Sequence, residues 1–166
     1  MPTEPKTIPI PKTYVNPQDS HVQISNHPDS APGVTPIQIV RLNRPEKLNA
    51  ITGGMIASLI DFFSTVSVDD RVKVIVFTGT GKAFSAGIDL NGDVSQEKNR
   101  IPPTEMRDPG GTLALAMFNC TKPIIVAYNG LAVGIGMTST LAAAIRCLPI
   151  HCLSFAMFFG IWKKKG

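Results

Sequence analysis

Two glycine-rich stretches contain the residues of this sequence that could take part in chemistry. They are residues 82–90 (KAFSAGIDL) and residues 129–137 (NGLAVGIGM), and each follows an apolar run. Small residues at a strand-to-helix turn let a ligand approach the backbone, and free N–H groups at a helix start attract negative charge. Two such turns directed at one point would form an oxyanion hole, in which backbone amides stabilise charge on a carbonyl oxygen. Either turn alone is also consistent with tight packing, so their joint occurrence favours the functional interpretation.

Two other glycine patterns do not fit a nucleotide site. Residues 79–82 (GTGK) lack the four residues that a phosphate-binding loop places between its first Gly and its Gly-Lys pair, and Ala83 stands where that loop needs Ser or Thr. Residues 134–136 (GIG) begin like a dinucleotide fingerprint, but Ser139 replaces the third Gly and no acidic residue follows. The sequence therefore gives no support to a nucleotide cofactor.

Composition and charge exclude further classes of protein. Of the 166 residues, 43% are apolar, which excludes a fully disordered chain, and three cysteines are too few for a disulfide scaffold. Most of the net charge of +4 comes from residues 163–165 (KKK). Because the remaining charge is nearly balanced, no basic face for nucleic acid is predicted.

Hydrophobic patterns predict the elements that carry the two turns. Residues 52–66 show the helical spacing of apolar side chains, and Thr52 is a suitable N-cap. Further elements are predicted as strands at residues 37–42, 72–77 and 123–128, a polar loop at residues 91–109, and a helix at residues 112–120. Strands that alternate with helices in this way predict an α/β fold with parallel pairing.

The two ends of the chain differ from this middle part. Residues 1–36 carry eight of the 14 prolines and no apolar run, which predicts a disordered extension. Residues 147–162 have no polar face and precede the three lysines. As a helix they would span about 24 Å, less than the roughly 30 Å of a bilayer core, so a membrane anchor is disfavoured. A buried segment is an alternative, but we expect residues 147–166 to lie outside the fold.

Three blocks of sequence resemble the crotonase, or enoyl-CoA hydratase/isomerase, superfamily in their order and spacing. They are residues 39–50 (IVRLNRPEKLNA), 81–90 (GKAFSAGIDL) and 122–136 (KPIIVAYNGLAVGIG). The resemblance covers residues 37–146 and implies an incomplete ββα spiral of the ClpP-like crotonase fold. It also implies an acyl-CoA thioester as substrate, no separate cofactor, and assembly of family members into trimers or hexamers.

The resemblance also assigns roles to residues of both turns. The backbone amides of Ile88 and Ile135 would form the oxyanion hole, so both positions are predicted to be catalytic. The predicted substrate-binding residues are Leu48, Asn49, Ala50, Ser85, Ala86, Gly87, Asp89 and Gly134. For the side chain of Asp89, a helix N-cap role is preferred to proton transfer.

The sequence departs from the family where the family supplies its acid and base groups. Thr138 stands where many hydratases carry a carboxylate, and the last acidic residue of the chain is Asp108. Two functions therefore stay open: an enoyl-CoA isomerase/hydratase-like protein acting on fatty-acyl or secondary-metabolite acyl-CoA, and an inactive fragment that binds acyl-CoA or a partner subunit. The likeness to fungal peroxisomal-type members implies a peroxisomal location, although residues 164–166 (KKG) are not an import tripeptide.

Overall fold

The computed structural model describes residues 8–91 and 108–149. Within these ranges the chain forms seven strands, three α-helices and two short 3₁₀ helices. The strands are β1 Val22–His27, β2 Ile37–Leu42, β3 Val74–Gly79, β4 Ala83–Ser85, β5 Ile124–Ala127, β6 Leu131–Ala132 and β7 Ile145–Cys147. The α-helices are α1 Gly53–Ser67, α2 Pro109–Asn119 and α3 Ile135–Thr138, and the 3₁₀ helices are Pro45–Lys47 and Ser139–Ala142.

The strands form two sheets that explain the order of the predicted elements. The larger sheet has the order β1-β2-β3-β5-β7, in which β1 is antiparallel to β2 and the other neighbours are parallel. The smaller sheet pairs β4 with β6 in parallel. The predicted parallel α/β arrangement is confirmed, because β2, β3, β5 and β7 are parallel neighbours and a helix lies between each of them and the next along the chain.

Helix α1 confirms the first helix prediction. The Thr52 side chain accepts a hydrogen bond from the backbone N–H of Met55, which satisfies one donor of the first turn. The helix buries an apolar face that includes Leu59, Phe62 and Phe63. An edge-to-face series of rings continues this core through Phe77 and Phe84 to Tyr128. The core therefore joins α1 to the strands that precede both glycine-rich turns.

The prediction that residues 1–36 are a disordered extension is wrong for the described residues from 8 onward. Strand β1 pairs along its whole length with β2, from Val22 opposite Leu42 to His27 opposite Ile37. The Asn16 side chain donates to the Val22 carbonyl and accepts from the Ile24 N–H, so the segment before β1 is fixed as well. The composition of residues 1–36 did not reveal β1, because an edge strand needs only one partner strand. That partner, β2, comes from the apolar middle part of the chain.

A buried carboxylate joins the N-terminal segment to the end of α1. The Asp69 carboxylate, 1% exposed, accepts a 3.0 Å hydrogen bond from the Tyr14 hydroxyl and a 2.7 Å bond from the Nη2 of Arg71. Arg71 also donates to the Pro11 carbonyl. The hydrogen bonds from Arg71 lower the pKa of Asp69 to about 2, and burial raises the pKa of the Tyr14 hydroxyl. We name these four residues the Asp69 clamp.

The predicted boundary after Arg146 is also wrong. Strand β7 crosses it, because Ile145–Cys147 pairs with β5 and the N–H of Tyr128 donates to the Cys147 carbonyl. The rest of the predicted tail, residues 150–166, lies outside the described residues, as do residues 92–107 of the predicted polar loop. No helix within the two described ranges is long and apolar enough to cross a membrane.

The second helix begins three residues earlier than predicted. The carboxylate of Asp108 accepts a 2.7 Å hydrogen bond from the Gly111 N–H, and Pro109 occupies the first turn of α2. Asp at the N-cap followed by Pro is a common helix start, and it outweighs the low helix propensity of the two glycines that follow. This start matters because α2 lies beside both glycine-rich turns.

Candidate functional site

Parallel pairing of β4 with β6 brings the two glycine-rich turns together. Ala83 pairs with Leu131 and Ser85 with Ala132, and the N–H of Val133 donates to the Ser85 carbonyl at 2.9 Å. Since parallel strands end at the same edge of a sheet, the backbone that follows each strand starts its turn at the same place. The prediction that the two turns converge therefore has a structural basis in the small sheet.

The first turn leaves one amide unengaged. Ile51 forms a parallel bridge with Ile88, in which the N–H of Ile51 donates to the Gly87 carbonyl and the N–H of Asp89 donates to the Ile51 carbonyl, both at 2.8 Å. Successive amides of an extended backbone point in opposite directions, so the N–H of Ile88 points away from Ile51. Within the described ranges this N–H makes no hydrogen bond.

The second turn leaves an amide unengaged for a different reason. Gly134 has a φ of 53° and precedes α3, so Ile135 is the first residue of that helix. The amides of Gly136, Met137 and Thr138 donate to the Val133 and Gly134 carbonyls. The N–H of Ile135 has no such partner in the described parts of the chain, as expected for the first amide of a helix.

Both unengaged amides belong to residues that line one cleft of about 730 Å³. The first turn, the second turn and the start of α2 form its walls. The lining residues are Ala86, Gly87, Ile88, Leu90, Asp108, Pro109, Gly110, Gly111, Ala114, Val133, Gly134, Ile135 and Thr138. The cleft has room for a small acyl group, and most of its lining is apolar. Its one carboxylate among the described lining residues is Asp108.

Glycine is required where the two turns approach each other. A Cβ on Gly136 would lie 2.6 Å from the Cβ of Ser85, and one on Gly87 would lie 3.2 Å from the Val133 carbonyl oxygen. Gly87 also has a φ of 98°, which other residues rarely adopt. The close approach of α3 to the first turn therefore depends on the absence of these side chains.

Three predicted substrate-binding residues, Ala86, Gly87 and Gly134, line the cleft together with Ile88 and Ile135. Two others do not. Asn49 is completely buried, and its side chain accepts from the Arg44 N–H and donates to the Thr80 and Ala83 carbonyls. Every polar atom of the Asn49 side chain therefore binds the loop, and contact of this residue with the CoA moiety stays a prediction.

The Ser85 side chain is engaged in the same way, and contact of this residue with substrate stays a prediction. Its side chain is buried, and its Oγ donates to the Asn49 carbonyl at 2.9 Å and accepts from the Gly87 N–H at 3.1 Å. The hydroxyl thus shapes the first turn and does not face the cleft. Leu48 and Ala50 lie beside this turn but do not line the cleft, and their contact with the CoA moiety stays a prediction.

Asp89 forms an ion pair that the sequence did not indicate. Its Oδ2 lies 2.9 Å from the Nη1 of Arg44, and its Oδ1 accepts from the Asn91 N–H at 3.1 Å. The hydrogen bond from Arg44 lowers the pKa of Asp89, so the carboxylate is held in its charged form. The contact with Asn91 is typical of an N-cap, but the residues that would form that helix lie outside the described ranges.

Sequence reasoning missed Asp108 as a residue of the site. It treated Asp108 only as the last acidic residue, although the series Asp-Pro-Gly-Gly at 108–111 indicates a helix start. No sequence pattern could show that this helix start faces the two turns, because α2 is far from both along the chain. No group of metal-binding side chains occurs in the part of the chain that the structure describes.

Comparisons with known proteins agree with this arrangement. The family model for enoyl-CoA hydratase/isomerase matches residues 34–152. The enoyl-CoA hydratase AKT3-2 of Alternaria alternata is 42% identical over 118 residues, which cover 69% of this chain and 38% of the relative. A peroxisomal enoyl-CoA hydratase of Arabidopsis thaliana is 35% identical over 109 residues, which cover 66% of this chain and 39% of the relative.

Solved structures show the same likeness in the fold. An enoyl-CoA hydratase/isomerase from Acinetobacter baumannii superposes with a TM-score of 0.65 at 25% identity, covering 76% of this chain and 48% of the other. An enoyl-CoA hydratase from Streptomyces coelicolor gives 0.63 at 26% identity, covering 87% and 50%. The chain spans about two fifths of the length of the curated relatives it matches. Its matched residues, its incomplete α/β spiral and its paired turns show that it belongs to the enoyl-CoA hydratase/isomerase family of the crotonase superfamily.

Proposed function

We propose that this chain binds an enoyl-CoA thioester in the cleft and polarises its carbonyl between the amides of Ile88 and Ile135. The observation that carries the proposal is that two amides without a described partner belong to residues lining one cleft. Such amides stabilise the negative charge that moves onto a thioester oxygen when an enolate forms. Isomerisation and hydration of an enoyl thioester both pass through a proton transfer at C2 that forms or consumes this enolate.

Proton transfer at C2 needs an acid/base group beside the oxyanion hole, and Asp108 is the carboxylate available among the described residues that line the cleft. One of its oxygens, Oδ2, accepts from the Gly111 N–H, and Oδ1 has no partner among the described residues. In an isomerisation, the carboxylate takes a proton from C2 of a 3-enoyl thioester and the electron pair moves onto the thioester oxygen. The acid then returns the proton to C4, which restores the carboxylate and leaves a 2-enoyl thioester.

The finer features of the function rest on the named relatives. The Alternaria alternata relatives are enoyl-CoA hydratases, and the Arabidopsis thaliana relative is described as peroxisomal. These names support an enoyl-CoA substrate and a peroxisomal location, and a fatty-acyl or secondary-metabolite chain is the acyl group that we propose. A second candidate function is binding of acyl-CoA without turnover, which is favoured by Thr138, a cleft residue whose hydroxyl donates to the Gly134 carbonyl and offers no carboxylate.

An infrared measurement tests the oxyanion hole directly. The thioester carbonyl of a saturated acyl-CoA, labelled with ¹³C, should absorb at a lower frequency when bound than in water, because two N–H donors polarise it. Ile88→Pro removes one donor that takes no part in the two hydrogen bonds of the bridge to Ile51, and Ile88→Val keeps the donor with a similar side chain. We expect the shift to be reduced in the first variant and kept in the second.

Turnover is measured in the same samples. Loss of one oxyanion donor typically costs about 2.7–4 kcal/mol in the transition state, a loss of about 100- to 1000-fold in rate. Exchange of deuterium from C2 of a 3-enoyl-CoA into water reports enolate formation even where no product accumulates. If the bound carbonyl has the same frequency as in water for the natural chain, the amides do not hold it and the proposed function is wrong.

A further inference from the structure

The ion pair between Arg44 and Asp89 lies directly beside the first unengaged amide. Asp89 follows Ile88 in the chain, and the Arg44 and Asp89 side chains are only 13% and 16% exposed. At 2.9 Å the contact is a charge-assisted hydrogen bond, which holds its geometry better than an exposed pair. The pair is therefore part of the turn and not a surface contact.

Arg44 connects this turn to the loop that precedes α1. Its Nη1 donates to the Ala50 carbonyl at 2.8 Å as well as to Asp89. Ala50 precedes Ile51, whose N–H and carbonyl bind the residues on either side of Ile88. One guanidinium group thus holds both strands of the bridge that directs the Ile88 amide.

We propose that Arg44 and Asp89 are positioning residues that set the direction of the Ile88 amide toward the cleft, through the paired backbones of residues 50–51 and 87–89. The proposal rests on the proposed function, because it assigns a cause to the orientation of one oxyanion donor. Neither side chain lines the cleft, so neither needs to touch the substrate.

The consequence of removing the pair follows from the geometry. The bridge has only two hydrogen bonds, and the Gly87 N–H is held separately by the Oγ of Ser85. Without the ion pair, the bond from the Asp89 N–H to the Ile51 carbonyl would be the main described contact that fixes the backbone just after Ile88. Displacement of a catalytic group by about 1 Å is enough to cost about 100-fold in rate. We expect Asp89→Ala and Arg44→Ala each to lower C2 exchange by about 10- to 100-fold, with no further loss in the double variant, because both act on the same amide.

The test compares the carbonyl frequency of bound ¹³C-labelled acyl-CoA in the natural chain, in Asp89→Ala and in Asp69→Asn. Asp69→Asn also removes an ion pair, but that pair lies in the Asp69 clamp and not at the cleft. We expect the frequency shift to be reduced by Asp89→Ala and unchanged by Asp69→Asn, although both lower the melting temperature. Asp89→Asn, which keeps an acceptor for the Asn91 N–H, serves as the milder variant if Asp89→Ala does not fold.

Each result has a separate meaning. If folded Asp89→Ala or Asp89→Asn showed the same carbonyl frequency shift as the natural chain, the positioning role would be wrong and the proposed oxyanion hole would be unaffected. An equal reduction in Asp69→Asn would show a general loss of structure and would also overturn it. Absence of the shift in the natural chain would refute the proposed function itself.

Discussion

Substitution of Gly136 by Ala should separate the two oxyanion donors. The added Cβ would lie 2.6 Å from the Cβ and 2.9 Å from the Oγ of Ser85, whereas ordinary contacts begin at 3.4 Å. Ser85 cannot rotate away, because its Oγ is bound to the Asn49 carbonyl and the Gly87 N–H in a fully buried position. Helix α3, which carries the Ile135 amide, must therefore move away from the first turn by about 0.8 Å, the difference between 3.4 and 2.6 Å.

The expected effect has two parts. Overpacking of this kind typically costs about 1–3 kcal/mol of stability, and a displacement approaching 1 Å costs up to about 100-fold in rate. We expect C2 exchange to fall by about 10- to 100-fold in Gly136→Ala, with a smaller carbonyl shift for bound ¹³C-labelled acyl-CoA. Circular dichroism and thermal unfolding report whether the variant is folded under the conditions of the assay.

A matched substitution elsewhere provides the control. At Gly54, in the first turn of α1, a new Cβ would meet only the Oγ1 of Thr52 at 3.9 Å. Gly54→Ala should keep the natural carbonyl shift and should not destabilise the protein, because Ala favours a helix over Gly. If folded Gly136→Ala kept both the natural shift and the natural exchange rate, the contact between α3 and the first turn would have no part in the site.

Two further predictions concern carboxylates. Asp69→Asn should lower the free energy of unfolding by about 2 kcal/mol at neutral pH, because the pKa of Asp69 falls from 3.8 to about 2 on folding and each unit is worth 1.36 kcal/mol. This stabilisation is present above about pH 4 and is lost as the pH falls toward 2. Denaturant titrations should therefore give free energies of unfolding for the natural chain and Asp69→Asn that converge near pH 2. A difference that stays constant with pH would show that the Asp69 clamp is not its source. Asp108→Asn keeps a good N-cap for α2, so the protein should fold. It should abolish deuterium exchange at C2 and leave the frequency shift of the bound carbonyl unchanged. If C2 exchange in this variant kept its natural rate, Asp108 would have no part in the mechanism.

Local patterns were sufficient for much of the fold. The helix at 53–67 follows from its apolar spacing and the Thr52 cap, and β2 follows from its alternating side chains. The strand predicted at 72–77 is observed two residues later, at Val74–Gly79, because pairing with β2 and β5 sets its ends. Glycine at 87, 134 and 136 also marked the two turns, since a positive φ at 87 and 134 and a close contact with Ser85 at 136 favour glycine there.

Other features depended on partners that are distant in the chain. Residues 22–27 lie in the segment 1–36 whose composition predicts disorder, but pairing with β2 supplies the hydrogen bonds that they lack alone. The ion pair between Arg44 and Asp89 joins residues 45 positions apart, and the α2 start at Asp108 reaches the cleft only through packing.

The sequence by itself determined the family, the main helices and strands, and the two glycine-rich turns. These depend on side-chain periodicity, on capping residues and on the backbone freedom of glycine, which act within a few residues. The tertiary structure decided which amides are left unengaged, which carboxylate lies in the cleft, and that Asn49 and Ser85 support the turn from within. Those features depend on the direction of each hydrogen bond and on burial, and both are set only when distant segments pack together.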